Sequence, residues 1–175
     1  MEPLGGPDSS VLALLWGSPT RVLLVRKRCA PGSPWACDLA LPGGGVKRGE
    51  APLEAAAREA WEEAWIPPAA VRPLASYCCE KTLTAGRRIH VVIAALQGPA
   101  EPRPAEEEVD AAIWAPLHIA SAKPGPVRHP YRGVIEGLSL PGGLILWGAT
   151  LRILRRILAM LQEGEVKLNT PQRHI

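Results

Sequence analysis

The chain has 175 residues, 47% of them hydrophobic, enough to bury a core without staples, so one domain over residues 1–175 is expected. Its 20 basic and 17 acidic residues leave a formal charge of +3, too mild an excess for a nucleic-acid-binding surface; a small anionic partner suits it better. The four cysteines, Cys29, Cys37, Cys78 and Cys79, form no Cys-x-x-Cys pair, which argues against zinc.

No charged start followed by an apolar run and a cleavage site opens the chain, so a cytoplasmic location is expected. A single asparagine, Asn169, few glutamines and 19 prolines fit a thermophile's composition.

In chain order, Ser10 to Trp16 and Arg21 to Arg26 are short apolar segments separated by Gly17, Ser18, Pro19 and Thr20; they read as a β-hairpin. A loop rich in Pro, Gly and Cys leads to Gly43, Gly44 and Gly45, where the backbone is free to approach a ligand closely. Ala51 to Ala64 is almost all strong helix formers, with Pro52 tolerated in the first turn. Arg72 to Lys81 and Arg88 to Leu96 are predicted to pair antiparallel, with Thr84, Ala85 and Gly86 as their turn.

Gly98 to Pro104 reads as a loop, extended by the acidic Glu106, Glu107, Glu108 and Asp110, before a short strand near Ala112 to Ala115. Gly125 to Gly143 is expected to be mostly irregular. A last helix is predicted from Leu144 to Gln162, with Leu146, Ala149, Ile153, Ile157 and Met160 or Leu161 at helical spacing. Leu138 to Leu161 is the most apolar stretch, but Pro141, Arg152, Arg155 and Arg156 disqualify it as a membrane span.

The chemistry concentrates on the helix from Ala51. At about 100° per residue, Glu59, Glu62 and Glu63 share one face. Leu53, Ala57, Ala60, Trp61 and Ala64 share another, which is expected to be the buried one. Arg58 lies four residues from both Glu54 and Glu62, placed to pair with either. Carboxylates this close repel by roughly 0.2–0.5 kcal/mol per pair, and the C-terminal half of a helix disfavours negative charge further. A hard cation removes that cost, and the glycine loop can lend it a carbonyl.

At these positions the chain resembles a known family. Gly44, five residues, Glu50, seven residues, Arg58, Glu59, Ala60, one residue, Glu62, Glu63, one residue, Trp65, Ile66 resembles the Nudix box, GX5EX7REUXEEXGU, and Leu41, Pro42, Gly43 look like its usual lead-in. The box's second glycine is Trp65 here, so Pro67 and Pro68 are expected to end the helix in place of a left-handed glycine.

The resemblance implies an α/β class fold, an α/β/α sandwich with a mixed sheet between helices. It implies a pyrophosphohydrolase that uses Mg2+ or Mn2+ to cut the diphosphate of a nucleoside diphosphate joined to a further group. It also implies Glu59 and Glu63 as metal ligands, with the Gly44 carbonyl and Glu62 beside them, and Glu50 orienting Arg58 or holding a water. Further carboxylates on a loop often complete such sites, and Glu106, Glu107 and Glu108 are the candidates; the favoured general bases are Glu107 and Glu108. A homodimer is expected, since twofold pairs are the commonest assemblies.

Substrate identity has weaker signals. Leu146, Trp147, Gly148, Ala149 and Thr150, with the layout from Leu23 to Arg28 and on to Trp35, are similar to the coenzyme A diphosphatases of the family. ADP-ribose and nucleotide sugars are the alternative. Arg26, Arg28, Arg87 and Arg88 are candidate phosphate ligands, because guanidinium forks match phosphate oxygens, and Trp35 is a candidate for stacking on a base. Two rival classes remain: a non-catalytic nucleotide-binding module on the same fold, and membrane association through the last helix.

Overall fold

The structure is a computed structural model and describes residues 7–82 and 86–168. Its elements in order are β1 (Ser9–Trp16), β2 (Arg21–Lys27), β3 (Leu39–Ala40), β4 (Gly43–Gly45), α1 (Pro52–Ala64), β5 (Val71–Lys81), β6 (Arg88–Leu96), β7 (Val109–Pro116), β8 (Gly125–His129), β9 (Gly133–Leu140), β10 (Leu144–Trp147) and α2 (Gly148–Gln162). Seven strands, β1 to β7, form one mixed sheet, in which β1 and β6 run parallel and the other pairs antiparallel. β8, β9 and β10 form a second, antiparallel sheet.

The strands at the centre of the large sheet alternate between two cores, as a period of two requires. Leu12, Leu14, Leu23, Val25, Val92 and Ala94 pack with Ala56, Ala60 and Ala64 of α1. Ala13, Leu15, Val22, Leu24, Val91 and Ile93 pack with Ile153, Leu154 and Ile157 of α2. The sheet is therefore covered on both faces, and the architecture is the expected α/β/α sandwich.

Five expectations need correction. The β1–β2 hairpin is real but pairs only at its turn end, Leu15 with Val22 and Trp16 with Arg21, because β4 occupies the β1 edge at Ser9 to Val11. Gly125 to Gly143 is not irregular: it contains β8 and β9, whose prolines and glycines mask the strand signal. The last helix begins at Gly148, four residues late, because Leu144 to Trp147 pair with β9 as β10. The β5–β6 pair holds, but Thr84 and Ala85 of its predicted turn lie outside the described residues.

The fourth correction concerns the rotation of α1. Its buried residues are Ala55, Ala56, Ala60, Glu63 and Ala64, while Leu53 and Trp61 remain 37% and 43% exposed. A carboxylate is buried and a tryptophan exposed, the reverse of the hydrophobic ranking, because small alanines let the helix lie close on the sheet and bring its acidic edge against the glycine loop. The helix ends at Trp65, which itself adopts the left-handed conformation at φ 58° and donates its N–H to the Trp61 carbonyl at 3.0 Å. Pro67 and Pro68 are not the stop. Among the described residues no helix is long and apolar enough to cross a membrane.

Candidate functional site

Glycine is required where β4 runs between β1 and α1. A β-carbon on Gly43 would lie 2.7 Å from Val11 Cγ1, and one on Gly44 would lie 2.6 Å from Glu59 Cδ. The main chain of β4 thus touches the acidic edge of α1 without intervening side chains. Ser10 locks the other end, its buried hydroxyl donating to the Pro52 carbonyl at 2.7 Å.

Glu63 is 1% exposed. Its carboxylate accepts the Lys27 ammonium at one oxygen and the Gly43 N–H at the other, 3.2 Å away. Burial nevertheless dominates and pushes the Glu63 carboxyl above its usual range, with the Glu59 charge adding to the rise against the pull of Lys27. Lys27 ends β2, so this contact bridges the sheet and α1.

Arg58 organises the neighbouring acids. Its Nε donates to Glu50 Oε1 at 2.7 Å and Nη2 to Glu50 Oε2 at 3.1 Å, the forked pairing that suits a guanidinium. It also donates to Glu59 at 2.9 Å, Glu62 at 3.2 Å and the Gly45 carbonyl at 3.1 Å. The Arg58 hydrogen bond, helped by the Lys47 N–H, holds the Glu50 carboxyl down to about 2. In turn Glu50 makes the guanidinium harder to deprotonate.

The acidic loop reaches the same place. Arg103 and Ala105 donate their N–H groups to the carbonyls of Ala64 and Glu63, and Arg28 N–H donates to the Glu108 carbonyl at 2.9 Å. Carboxylate oxygens of Glu59, Glu63 and Glu108 come within 4.8 Å of one another. That spacing fits a divalent cation, because oxygen ligands about 2.0–2.6 Å from a shared ion are at most about twice that distance apart. Glu62 and Gly44 line the same cavity, of about 570 Å³, and Glu62 is 47% exposed. Glu106 and Glu107 are exposed and belong to neither the carboxylate group nor the cavity wall.

Of the predicted substrate-binding residues, Trp35 and Arg87 line the cavity. Arg26 pairs with Asp110 at 2.5 Å, Arg28 donates to the Glu106 carbonyl at 2.7 Å, and Arg88 lies 3.9 Å from Asp8; none of these three is on the cavity wall. The cavity also includes Lys27, Lys47, Asp38 and Arg132, which sequence reasoning missed as site residues, and Trp147, which it marked only within the stretch from Leu146 to Thr150. Asp38 is bonded to Arg132 and Trp147 at 3.0 and 3.1 Å. Their partners are 94 and 109 residues apart in the chain, and the only local hint was an isolated acid between Trp35 and Leu39. A disulfide between Cys29 and Cys37 joins the ends of the loop that carries Trp35.

A family profile described as the NUDIX domain matches residues 6–138. Two sequences of Shigella flexneri, both described as uncharacterized Nudix hydrolase NudL, are 30% identical over 161 residues, spanning 89% of this chain and 83% of theirs. Among solved structures, the fold is similar to a Nudix hydrolase from M. smegmatis, RenU, with TM-score 0.65, 21% identity and coverage of 94% and 90% of the two chains. It is also similar to the NUDIX domain of Shewanella oneidensis NrtR complexed with ADP ribose, with TM-score 0.58, 16% identity and coverage of 90% and 89%. A third likeness is to a C. elegans Ap4A hydrolase, with TM-score 0.53, 21% identity and coverage of 63% and 80%. On the profile match and the NudL relatives, the chain belongs to the NUDIX family and is a Nudix pyrophosphohydrolase.

Proposed function

We propose that this enzyme hydrolyses the diphosphate of a nucleoside diphosphate joined to a further group, with Mg2+ or Mn2+ bound by Glu59, Glu63 and the Gly44 carbonyl. The observation that carries this reading is the approach of Glu59, Glu63 and Glu108 within 4.8 Å. A divalent cation there neutralises phosphate charge and acidifies water. The chain's own residues supply the remainder. Glu108 accepts the proton of the attacking water as its oxygen bonds to phosphorus and the anhydride oxygen departs. Arg58, fixed by Glu50, holds Glu59 and Glu62 in place, and Lys27 pairs with Glu63 and pulls its carboxyl down against the rise that burial causes. Lys47 and Arg87 on the cavity wall offer charge to the phosphates.

Coenzyme A is the first-choice substrate. Supporting it, Trp147, Gly148, Ala149 and Thr150, the residues that resemble coenzyme A diphosphatases, line the cavity. The second reading, ADP-ribose, is favoured by the structural likeness to the Shewanella oneidensis domain complexed with ADP ribose. A homodimer in the cytoplasm is the accompanying expectation, and light scattering at micromolar concentration tests the pairing.

The reaction is tested by incubating the protein with coenzyme A, ADP-ribose, diadenosine polyphosphates and nucleotide sugars, with magnesium, manganese or excess chelator, and identifying both products. Cleavage at the diphosphate with a divalent ion and none in chelator is the expected result. Undiminished turnover in chelator overturns the metal site, and cleavage of ADP-ribose alone replaces the first substrate by the second.

A further inference from the structure

A second cluster lines the cavity and takes no part in the chemistry just described. Asp38 Oδ1 accepts Trp147 Nε1–H at 3.1 Å, and Asp38 Oδ2 accepts Arg132 Nη2–H at 3.0 Å. The buried His129 places its Nε2 3.0 Å from the same Oδ1. One carboxylate therefore ties the loop before β3 to the β8–β9 turn and to the residue before α2.

The guanidinium of Arg132 has one nitrogen fully committed. Its Nη2 also donates to the Pro34 carbonyl at 2.5 Å, so both hydrogens of that nitrogen are used. Its carbon lies 4.8 Å from the Trp147 ring centroid, and Nε is buried with no partner. Nη1 has no protein partner among the described residues and is not enclosed, on a side chain that lines the cavity and is 23% exposed.

This edge differs in character from Lys47 and Arg87, the cavity cations that offer charge to the phosphates. Asp38 neutralises the guanidinium charge, leaving a fixed, planar pair of N–H donors suited to a neutral acceptor rather than to another phosphate. Nη2 is bonded to the carbonyl of Pro34, the residue before Trp35, and the Trp35 indole stacks on no ring or cation among the described residues and lines the same cavity. A flat aromatic ring with acceptor atoms in its plane satisfies both at once: the indole takes its face and Nη1 takes its edge.

We infer that Trp35 and Arg132 form the subsite for the substrate's nucleobase, with Asp38 as the positioning residue that holds Arg132 and Trp147 in place. This rests on the reading of the substrate as a nucleoside diphosphate derivative, but the binding measurement that decides it does not depend on turnover. Calorimetry on the whole protein with magnesium measures binding of the four nucleoside 5′-monophosphates and of ribose 5-phosphate, which lacks the base.

The parent is expected to bind at least one nucleotide roughly tenfold or more tightly than ribose 5-phosphate. Trp35→Ala and Arg132→Met are each expected to remove most of that preference while ribose 5-phosphate binding stays within about twofold, and Trp35→Phe to restore it. Asp38→Asn, which keeps an acceptor but not the charge, is expected to weaken nucleotide binding in the same selective way, raising KM with kcat little changed. No base preference in the parent, or a preference that survives in Trp35→Ala and Arg132→Met, overturns the subsite, as does equal loss of both ligands. Failure of hydrolysis on every diphosphate tested overturns the reaction instead, and the calorimetric preference still decides the subsite.

Discussion

Gly44 and Glu59 stand so close that a β-carbon on residue 44 would lie 2.6 Å from the Glu59 Cδ. Two sequence signals fifteen residues apart, a glycine and a helical glutamate, are thus halves of one contact. Gly44→Ala has to push the Glu59 carboxylate away, and Glu59 is also held by Arg58 at 2.9 Å, so it cannot move without disturbing that pair. The expected outcome is a loss of roughly 10–100-fold in metal affinity or activity, the usual effect of disturbing the groups that orient a ligand. Titrating activity against magnesium checks this, and an unchanged half-saturation overturns it.

Glu63 shows what function costs the fold. Its burial raises its carboxyl pKa, so ionisation is paid for in the ion-free protein even with Lys27 beside it. Glu63→Gln removes that charge and keeps the shape, and Lys27, 21% exposed, can turn its ammonium to water. Thermal melts in chelator are expected to show a Tm equal to or above the parent's, while kcat falls at least about 100-fold. A clearly lower Tm means that the Lys27 pair outweighs the burial penalty.

The Glu50 and Arg58 pair gives a pH signature. Arg58 lowers the Glu50 carboxyl from 4.5 to about 2. A depressed folded-state value means that the stabilisation is fully present above the unfolded pKa, and is lost as pH falls from about 4.5 towards 2. Denaturant midpoints of the parent and of Glu50→Gln should therefore differ by a constant amount above about pH 5 and converge near pH 2. A gap that persists at pH 2 indicates that Glu50 contributes by packing and not by charge.

These residues explain how far the sequence could be read. The box was legible because helix propensity, glycine and charge spacing all act within 23 residues, and Glu59, Glu63 and Gly44 converge as that spacing suggests. The rotation of α1 was not, since a hydrophobic wheel places Trp61 inside and Glu63 outside, and only the sheet, not the helix, decides otherwise. Arg132 carries no local signal, and the resemblance that marked Trp147 gave no hint of Asp38, because each meets Asp38 only once the second sheet has formed. That sheet was hidden by Pro126, Pro130, Gly133 and Gly137, which break the alternation by which strands are recognised.

The acidic loop separates its three glutamates most sharply. Sequence position alone left Glu106, Glu107 and Glu108 equivalent in reach, with Glu107 and Glu108 favoured. In the fold, the Glu108 carbonyl accepts the Arg28 N–H, which extends the β2–β7 ladder past Val109 and fixes the backbone of residue 108 next to Lys27. The Glu108 carboxylate, exposed like its two neighbours, then meets Glu59 and Glu63, while Glu106 and Glu107 lie outside that group. A general base has to come within about 2.6–3.2 Å of the attacking water, and a carboxylate beside a divalent ion stays ionised at neutral pH and can take that proton. Glu108→Gln is therefore expected to lower kcat by roughly 10²–10⁴ with KM little changed, whereas Glu106→Gln and Glu107→Gln should stay within a few-fold of the parent. Steady-state kinetics on the three single variants checks this. If Glu107→Gln is the damaging one, the loop closes differently around substrate; if none is, the base lies within the box, and Glu62, exposed on the cavity edge, is the next carboxylate to replace.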